Sequence, residues 1–144
     1  MKVYLANGFS PAMLSKLPLA VEFREVSDKE FCDAVTHAVN SIGHTGTVDL
    51  VNQLCGTSLA VNRVSIKVDI GDQIFIVLLT VRLEEGKVLS YEEIQKMYTE
   101  GKVRFIRATI YGAVLEELSN CESKCDEITY DSLANKAKNG GDKE

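Results

Sequence analysis

No stretch of this chain is apolar for long. The longest run, Ile74 to Leu79 continued through Val81, falls far short of the roughly 20 residues that span a bilayer and is rich in β-branched side chains. It reads as a buried strand, and no membrane association is expected. The chain passes from Met1-Lys2 straight into Val3-Tyr4-Leu5 with no apolar signal core or small-residue cleavage site, so secretion is not expected. Cysteine is sparse: Cys32, Cys55, Cys121 and Cys125. Four thiols in 144 residues, without an export signal, fit reduced intracellular side chains better than a disulfide framework. A cytoplasmic location is the expectation. Cys121 and Cys125 would share a helix face, yet no second Cys or His pair stands at ligand spacing beside them, and no metal is expected.

Positive charge is not in excess either. Sixteen Lys and Arg against 21 Asp and Glu leave a formal charge of −5. This disfavours sequence-independent binding to duplex nucleic acid, which is driven by phosphate neutralisation. A small anionic ligand remains compatible, because it needs only a few cations and backbone donors converging in one cleft. Also missing are a Walker or dinucleotide glycine loop, a Gly-x-Ser-x-Gly elbow and an acidic cluster of the two-metal nuclease kind. Metal-dependent phosphoryl chemistry is disfavoured, and no cofactor is expected.

What is present is an interleaving of strand and helix patterns, of the kind an α/β (α+β) domain produces. Val3 to Ala6 gives a first strand, and Asn7-Gly8-Phe9-Ser10-Pro11 ends it in a loop feeding a short helix capped by Ser10 and closed by Pro18. Leu19, Val21 and Phe23 alternate as a second strand. Ser27-Asp28-Lys29-Glu30 is a capping-box pattern, followed at helical spacing by Phe31, Ala34, Val35 and Ala38, with His37 read as structural within that helix. A turn-rich loop from Asn40 to Gly46 holds His44. Thr47 then caps a helix through Val48, Leu50, Val51 and Leu54, with Gly56 as its terminal glycine. Val64, Ile66 and Val68 alternate and Gly71-Asp72 turns the chain, so a β-hairpin with the Ile74 run is expected. Ser90-Tyr91-Glu92-Glu93 starts another helix ending near Gly101, and Val103, Phe105 and Ala108 to Ile110 form a last core strand. The expected division is a core of residues 1–111 and a C-terminal extension, 112–144. The extension carries one possible amphipathic helix (Val114, Leu115, Leu118, Cys121) before a disordered polar end.

Polar side chains gather at loops bordering the strands: Asn7, Ser10, His44, Arg63, Arg82 and Glu85. Taken alone, each fits an ordinary role. His44 reads as a surface histidine, Asn7 and Ser10 as turn and cap residues, Arg63 as a strand-edge charge, and Arg82 with Glu85 as an exposed ion pair worth little to stability.

Five ordered segments go further. Val3-Tyr4-Leu5-Ala6-Asn7-Gly8-Phe9-Ser10, Asn40-Ser41-Ile42-Gly43-His44, Val51-Asn52-Gln53-Leu54-Cys55-Gly56-Thr57, Asn62-Arg63-Val64 and Arg82-Leu83-Glu84-Glu85-Gly86-Lys87-Val88-Leu89 resemble a family of ring nucleases. Its best known members are viral anti-CRISPR proteins acting against type III immunity. The resemblance runs from residue 2 to about 110. It implies a mixed β-sheet flanked by helices, a homodimer, and a pocket facing the two-fold axis for cyclic tetra-adenylate, the second messenger of type III CRISPR complexes. It also implies His44 as catalytic histidine, Arg82 and Glu85 as its catalytic partners, and Asn7, Ser10 and Arg63 as ligand-binding residues. Ala12 departs from the pattern, since several relatives carry Asn there, and no ligand contact is carried over to it. The residues before the Arg-Leu-Glu motif, often polar in the family, are Thr80 and Val81. Nothing after residue 112 matches.

The expected activity is therefore metal-independent cleavage of cyclic tetra-adenylate to linear di-adenylate ending in a 2′,3′-cyclic phosphate. Two other readings are kept beside it: a non-catalytic dimeric sensor or sponge for the same ligand, and a scaffold borrowed to bind another protein or DNA, against which the acidic composition counts.

Overall fold

The computed structural model of the protein describes residues 1–83 and 86–113. Residues Met1–Gly112 form one compact unit. The expected extension helix and polar tail, with Cys121 and Cys125, lie outside the described residues, as does Glu85.

Among the described residues, five strands and three helices follow in the order β1 (Val3–Ala6), β2 (Leu19–Val26), α1 (Asp28–Val35), β3 (Val39–Asn40), α2 (Thr45–Cys55), β4 (Gln73–Leu79), α3 (Tyr91–Thr99) and β5 (Val103–Gly112), with a 3-10 turn at Pro11–Met13. They make one mixed sheet in the order β2-β5-β4-β1-β3. β1 runs parallel to both β3 and β4, while β5 is antiparallel to β4 and β2. The α+β architecture, a mixed sheet flanked by helices, is the expected one. Among the described residues, no helix is long and apolar enough to cross a membrane.

Alternation along the strands divides the core. Leu5, Phe75, Val77, Val103 and Phe105 meet the apolar faces of the helices, contributed by Phe31, Ala34 and Val35 of α1, Val48, Leu50, Val51 and Leu54 of α2, and Ile94 of α3. The Phe31 and Phe105 rings stack with centroids 4.4 Å apart. Tyr4, Ala6, Ile74, Ile76, Ala108 and Ile110 form a second cluster, covered by Ile66, Val68 and the segment carrying Phe9, Met13 and Leu14.

Several local expectations are corrected. Residues 64–68 are not a hairpin strand; only Val68 bridges, in parallel, to Leu14. Both edges of β4 are taken, by β1 and β5, so the alternation of Ile66 and Val68 serves burial against the sheet rather than pairing. The short helix after Ser10 stops at Met13, well before Pro18. His37 lies beyond α1 in an exposed turn. Asn40 belongs to the two-residue strand β3 instead of opening the loop.

The cysteine expectation also fails for one pair: Cys32 and Cys55 form a disulfide. They are 23 residues apart in sequence, but the packing of α1 against α2 brings their α-carbons to 5.2 Å, within the span a disulfide bridges. The cysteines thus give no support to a reducing compartment.

Candidate functional site

Because β1, β3 and β4 are parallel, the segments that leave their C-terminal ends emerge on one side of the sheet. These are the loops beginning at Asn7, Ser41 and Thr80. β3 lies on one flank of β1 and β4 on the other, so the chain changes direction around β1, the arrangement at which open sheets place ligands.

The loop after β3 is fixed by side-chain bonds to backbone. Ser41 donates through both its backbone N–H (2.8 Å) and its hydroxyl (2.7 Å) to the Leu5 carbonyl of β1. Asn40 Oδ1 accepts from Ile42 N at 2.9 Å, and its amide donates to the Ala60 carbonyl at 2.7 Å. Asn62 returns the contact, donating to the Asn40 carbonyl at 2.8 Å. This double amide clamp ties the approach to His44 to the segment that carries Arg63.

His44 is the N-cap of α2. Helix formation begins at Thr45, not after Thr47, which corrects the cap predicted from sequence: Thr47 is a buried residue of the first turn. Its backbone N–H donates to His44 Nδ1 over 3.3 Å. Like any helix start, this one leaves the N–H groups of its first residues, Thr45 and Gly46, without an intrahelical acceptor. Two glycines make the geometry possible. A Cβ on Gly43 would stand 2.9 Å from the Arg63 Cβ, and one on Gly46 would stand 3.1 Å from His44 Cε1 and 3.3 Å from Leu83 Cδ1.

Across from this helix start lies the segment after β4. The two enclose a cleft of about 460 Å³ lined by Gly43, His44, Thr45, Gly46 and Asp49 on one wall and Arg82, Leu83, Gly86, Lys87 and Val88 on the other. Lys87 is held by an ion pair to Glu93 in the first turn of α3, 3.4 Å away. Two cations, the positive end of a helix and one carboxylate thus face a common volume, a setting suited to an anion that also offers hydrogen-bond donors.

Of the residues singled out from sequence, His44 and Arg82 meet in this cleft. Arg63 packs its stem against Gly43, in the loop that leads to His44. Asn7 and Ser10 follow β1 at the same end of the sheet but do not line the cleft; Ser10 Oγ accepts from Ala12 N at 3.2 Å as the cap of the 3-10 turn. Asp49 and Lys87 were not singled out. Lys87 stands within the Arg-Leu-Glu-Glu-Gly-Lys segment, and Asp49 lies in the first turns of α2, on the cleft wall.

The STIV B116-like family model matches residues 3–104. The chain is 47% identical over 113 residues to the uncharacterized protein ORF116 of Acidianus filamentous virus 1, a match spanning 77% of this chain and 97% of that protein. It is 32% identical over 98 residues to the uncharacterized protein 26 of Sulfolobus islandicus filamentous virus, spanning 66% and 83%. The solved structure of B116 of Sulfolobus turreted icosahedral virus matches with a TM-score of 0.72 at 41% identity, covering 76% of this chain and 99% of that one. The matched region contains both walls of the cleft, and the chain belongs to the STIV B116-like family, which has members in archaeal viruses.

Proposed function

We propose that the protein is a metal-independent ring nuclease that cleaves cyclic tetra-adenylate to linear di-adenylate with 2′,3′-cyclic phosphate ends, silencing type III CRISPR signalling as an anti-CRISPR protein or a cellular off-switch. The observation that carries the reading is the pairing of His44 with Arg82 across one cleft at a helix N-terminus, the two residues the motif resemblance singles out as catalytic. A ribose 2′-hydroxyl attacks its own adjacent phosphate and expels the 5′-oxygen, so no outside nucleophile is required. Holding nucleophile and phosphate in line lowers the barrier by several kcal/mol, with roughly 7 to 11 as an upper range. Arg82 stabilises charge on the phosphate through charge-assisted hydrogen bonds. The departing alkoxide takes a proton from His44, a step worth about a hundredfold to ten-thousandfold in rate. Glu85, in the same segment as Arg82, is assigned to orienting Arg82 or His44 or to assisting the 2′-hydroxyl. Asn7, Ser10 and Arg63 bind the ring outside the reacting phosphate. A homodimer presents two such clefts to one ring, which accounts for di-adenylate as the end product. The reading places the protein in the cytoplasm, where the messenger is made.

The test uses the dual role of His44. His44→Ala removes both the imidazole and the cap of α2, whereas His44→Asn keeps a good capping side chain and loses only the proton donor. Both variants should bind cyclic tetra-adenylate in excess chelator, with His44→Asn the better folded. Mass spectrometry should find cleavage reduced at least a hundredfold in both. Full activity in His44→Asn would sink the assignment. A second reading, a non-catalytic dimeric sensor for the same ligand, uses the same cleft. It predicts ligand recovered intact from the unsubstituted protein.

A further inference from the structure

The cap of α2 has a second participant. Thr47 is only 2% exposed, and its Oγ1 lies 3.2 Å from His44 Nδ1, the nitrogen that also receives its backbone N–H. A backbone N–H can only donate, so Nδ1 carries a lone pair in this arrangement and the neutral ring holds its proton on Nε2. Protonating the ring reverses the polarity of Nδ1. The Thr47 N–H then loses its acceptor, but the hydroxyl both donates and accepts, and a rotation about its C–O bond lets it receive the Nδ1 proton.

We infer that Thr47 is a positioning residue for His44, its hydroxyl holding the imidazole in place whenever Nδ1 bears a proton. The catalytic meaning of this rests on the ring nuclease reading; the exchange of hydrogen bonds does not. In that reading two of the three ring states carry Nδ1–H. The imidazolium is one. When Nε2 gives its proton to the departing 5′-oxygen, the N–H bond breaks and an O–H bond forms. The ring is left neutral with its remaining proton on Nδ1, donated to Thr47 Oγ1. Solvent then returns a proton to Nε2. Without the hydroxyl, both of these states would turn a donor toward the Thr47 N–H, another donor, and the ring would swing out of position. Among the described residues, the other charged groups around His44 are Asp49 on α2, Arg82 and Lys87 on the opposite wall, and Arg63 packed against Gly43; all are retained in the variants below.

The chain has two histidines, and His37, in its exposed turn, is an internal reference. Two-bond proton–nitrogen correlation spectra of the 15N-labelled full chain report tautomer and protonated fraction for each ring across pH. In the unsubstituted chain, neutral His44 should carry its proton on Nε2. Thr47→Val keeps the shape and the backbone donor but removes the hydroxyl. In its protonated state the His44 ring should no longer be held at Nδ1, seen as exchange of the Nδ1 proton with solvent faster by roughly three- to tenfold, the worth of one charge-assisted hydrogen bond partly replaced by water. Thr47→Ser should restore the protection. In cyclic tetra-adenylate turnover, Thr47→Val should lower kcat with KM little changed, and Thr47→Ser should recover it.

A neutral His44 protonated on Nδ1 in the unsubstituted chain overturns the inference, and that measurement needs no variant to fold. So does a Thr47→Val ring whose Nδ1 proton exchanges like the original, or a Thr47→Ser ring disturbed as much as Thr47→Val. Absence of cleavage by the unsubstituted chain overturns the ring nuclease reading instead, and the spectra still decide the role of the hydroxyl.

Discussion

Gly43 shows how closely the two walls of the His44 loop are matched. Its missing Cβ is filled by the stem of Arg63, whose Cβ, Nε and Cγ would lie 2.9, 3.0 and 3.1 Å from an added methyl. The nearest of these atoms is at the root of the side chain, so the arginine cannot simply swing its end away. Gly43→Ala should displace Arg63 and cost about 1 to 3 kcal/mol, as overpacking does, with weaker cyclic tetra-adenylate binding by calorimetry. Gly8, in the loop after β1, has nothing within 4 Å of its virtual Cβ. Gly8→Ala should leave both stability and binding nearly unchanged, and an equal loss in the two variants would refute the argument. The motifs that make the family resemblance legible are only partly chemistry. Asn40, Ser41, Asn52 and Asn62 all spend their side chains on backbone groups of neighbouring segments, and they shape the site without entering it. His44 and Arg82 could be found from sequence because they sit inside those motifs. Thr47 and Asp49 could not: a helix start drawn at Thr47 turns the one into a cap, and no local pattern marks the other's helix position as facing the segment after β4.

Among the elements, α3 illustrates a start signal that reads correctly and also touches the site. Ser90 Oγ accepts from Glu93 N at 3.1 Å, and the Glu93 carboxylate accepts from Ser90 N at 2.9 Å. The same carboxylate holds Lys87, on the cleft wall. The Ser90 backbone donor first, and Lys87 after it, keep the Glu93 carboxyl below its ordinary value of 4.5. A group whose folded-state value is depressed contributes stability that is complete above the unfolded value and disappears as pH falls through the folded one. The first turn of α3 and the Lys87 tether should therefore be intact above 4.5 and loosen only below it. The Ser90 amide shift, followed by NMR from about pH 6 to pH 2, should report that transition, and Glu93→Gln should abolish it. A Ser90 amide that titrates identically in Glu93→Gln would assign the transition elsewhere. Capping signals such as this one are local, which is why they survive in the sequence. Strand pairing is not: Val64, Ile66 and Val68 alternate as a hairpin strand would, yet nothing local records that β1 and β5 already occupy both edges of β4. β3, with two residues, is too short for any period to register.

On the scale of the whole unit, the helix that presents His44 is anchored at its far end by a covalent bond to another helix. Cys55 closes α2 and Cys32 lies within α1, so the disulfide encloses the β3 strand, the His44 loop and all of α2 in one ring of chain with a sequence separation of 23. Confining a loop of that length in the unfolded chain raises the folded state's relative stability by roughly 3 kcal/mol in the chain-entropy account. Cys55→Ser should lower the unfolding free energy by about that amount, seen as a lower urea midpoint with a larger m-value, since the unlinked unfolded chain exposes more surface. Reducing the unsubstituted protein should reproduce the shift, and reductant should have no further effect on Cys55→Ser. The folded cleft should be affected far less than stability, because Ser41, Asn40 and Asn62 hold the His44 loop to β1 and to the Ala60–Asn62 segment by hydrogen bonds that do not involve the cysteines. Cyclic tetra-adenylate binding by Cys55→Ser, measured well below its unfolding midpoint, should thus match that of the unsubstituted chain. Loss of binding in a variant still folded would mean that the covalent link, and not the amide clamp, sets the position of His44.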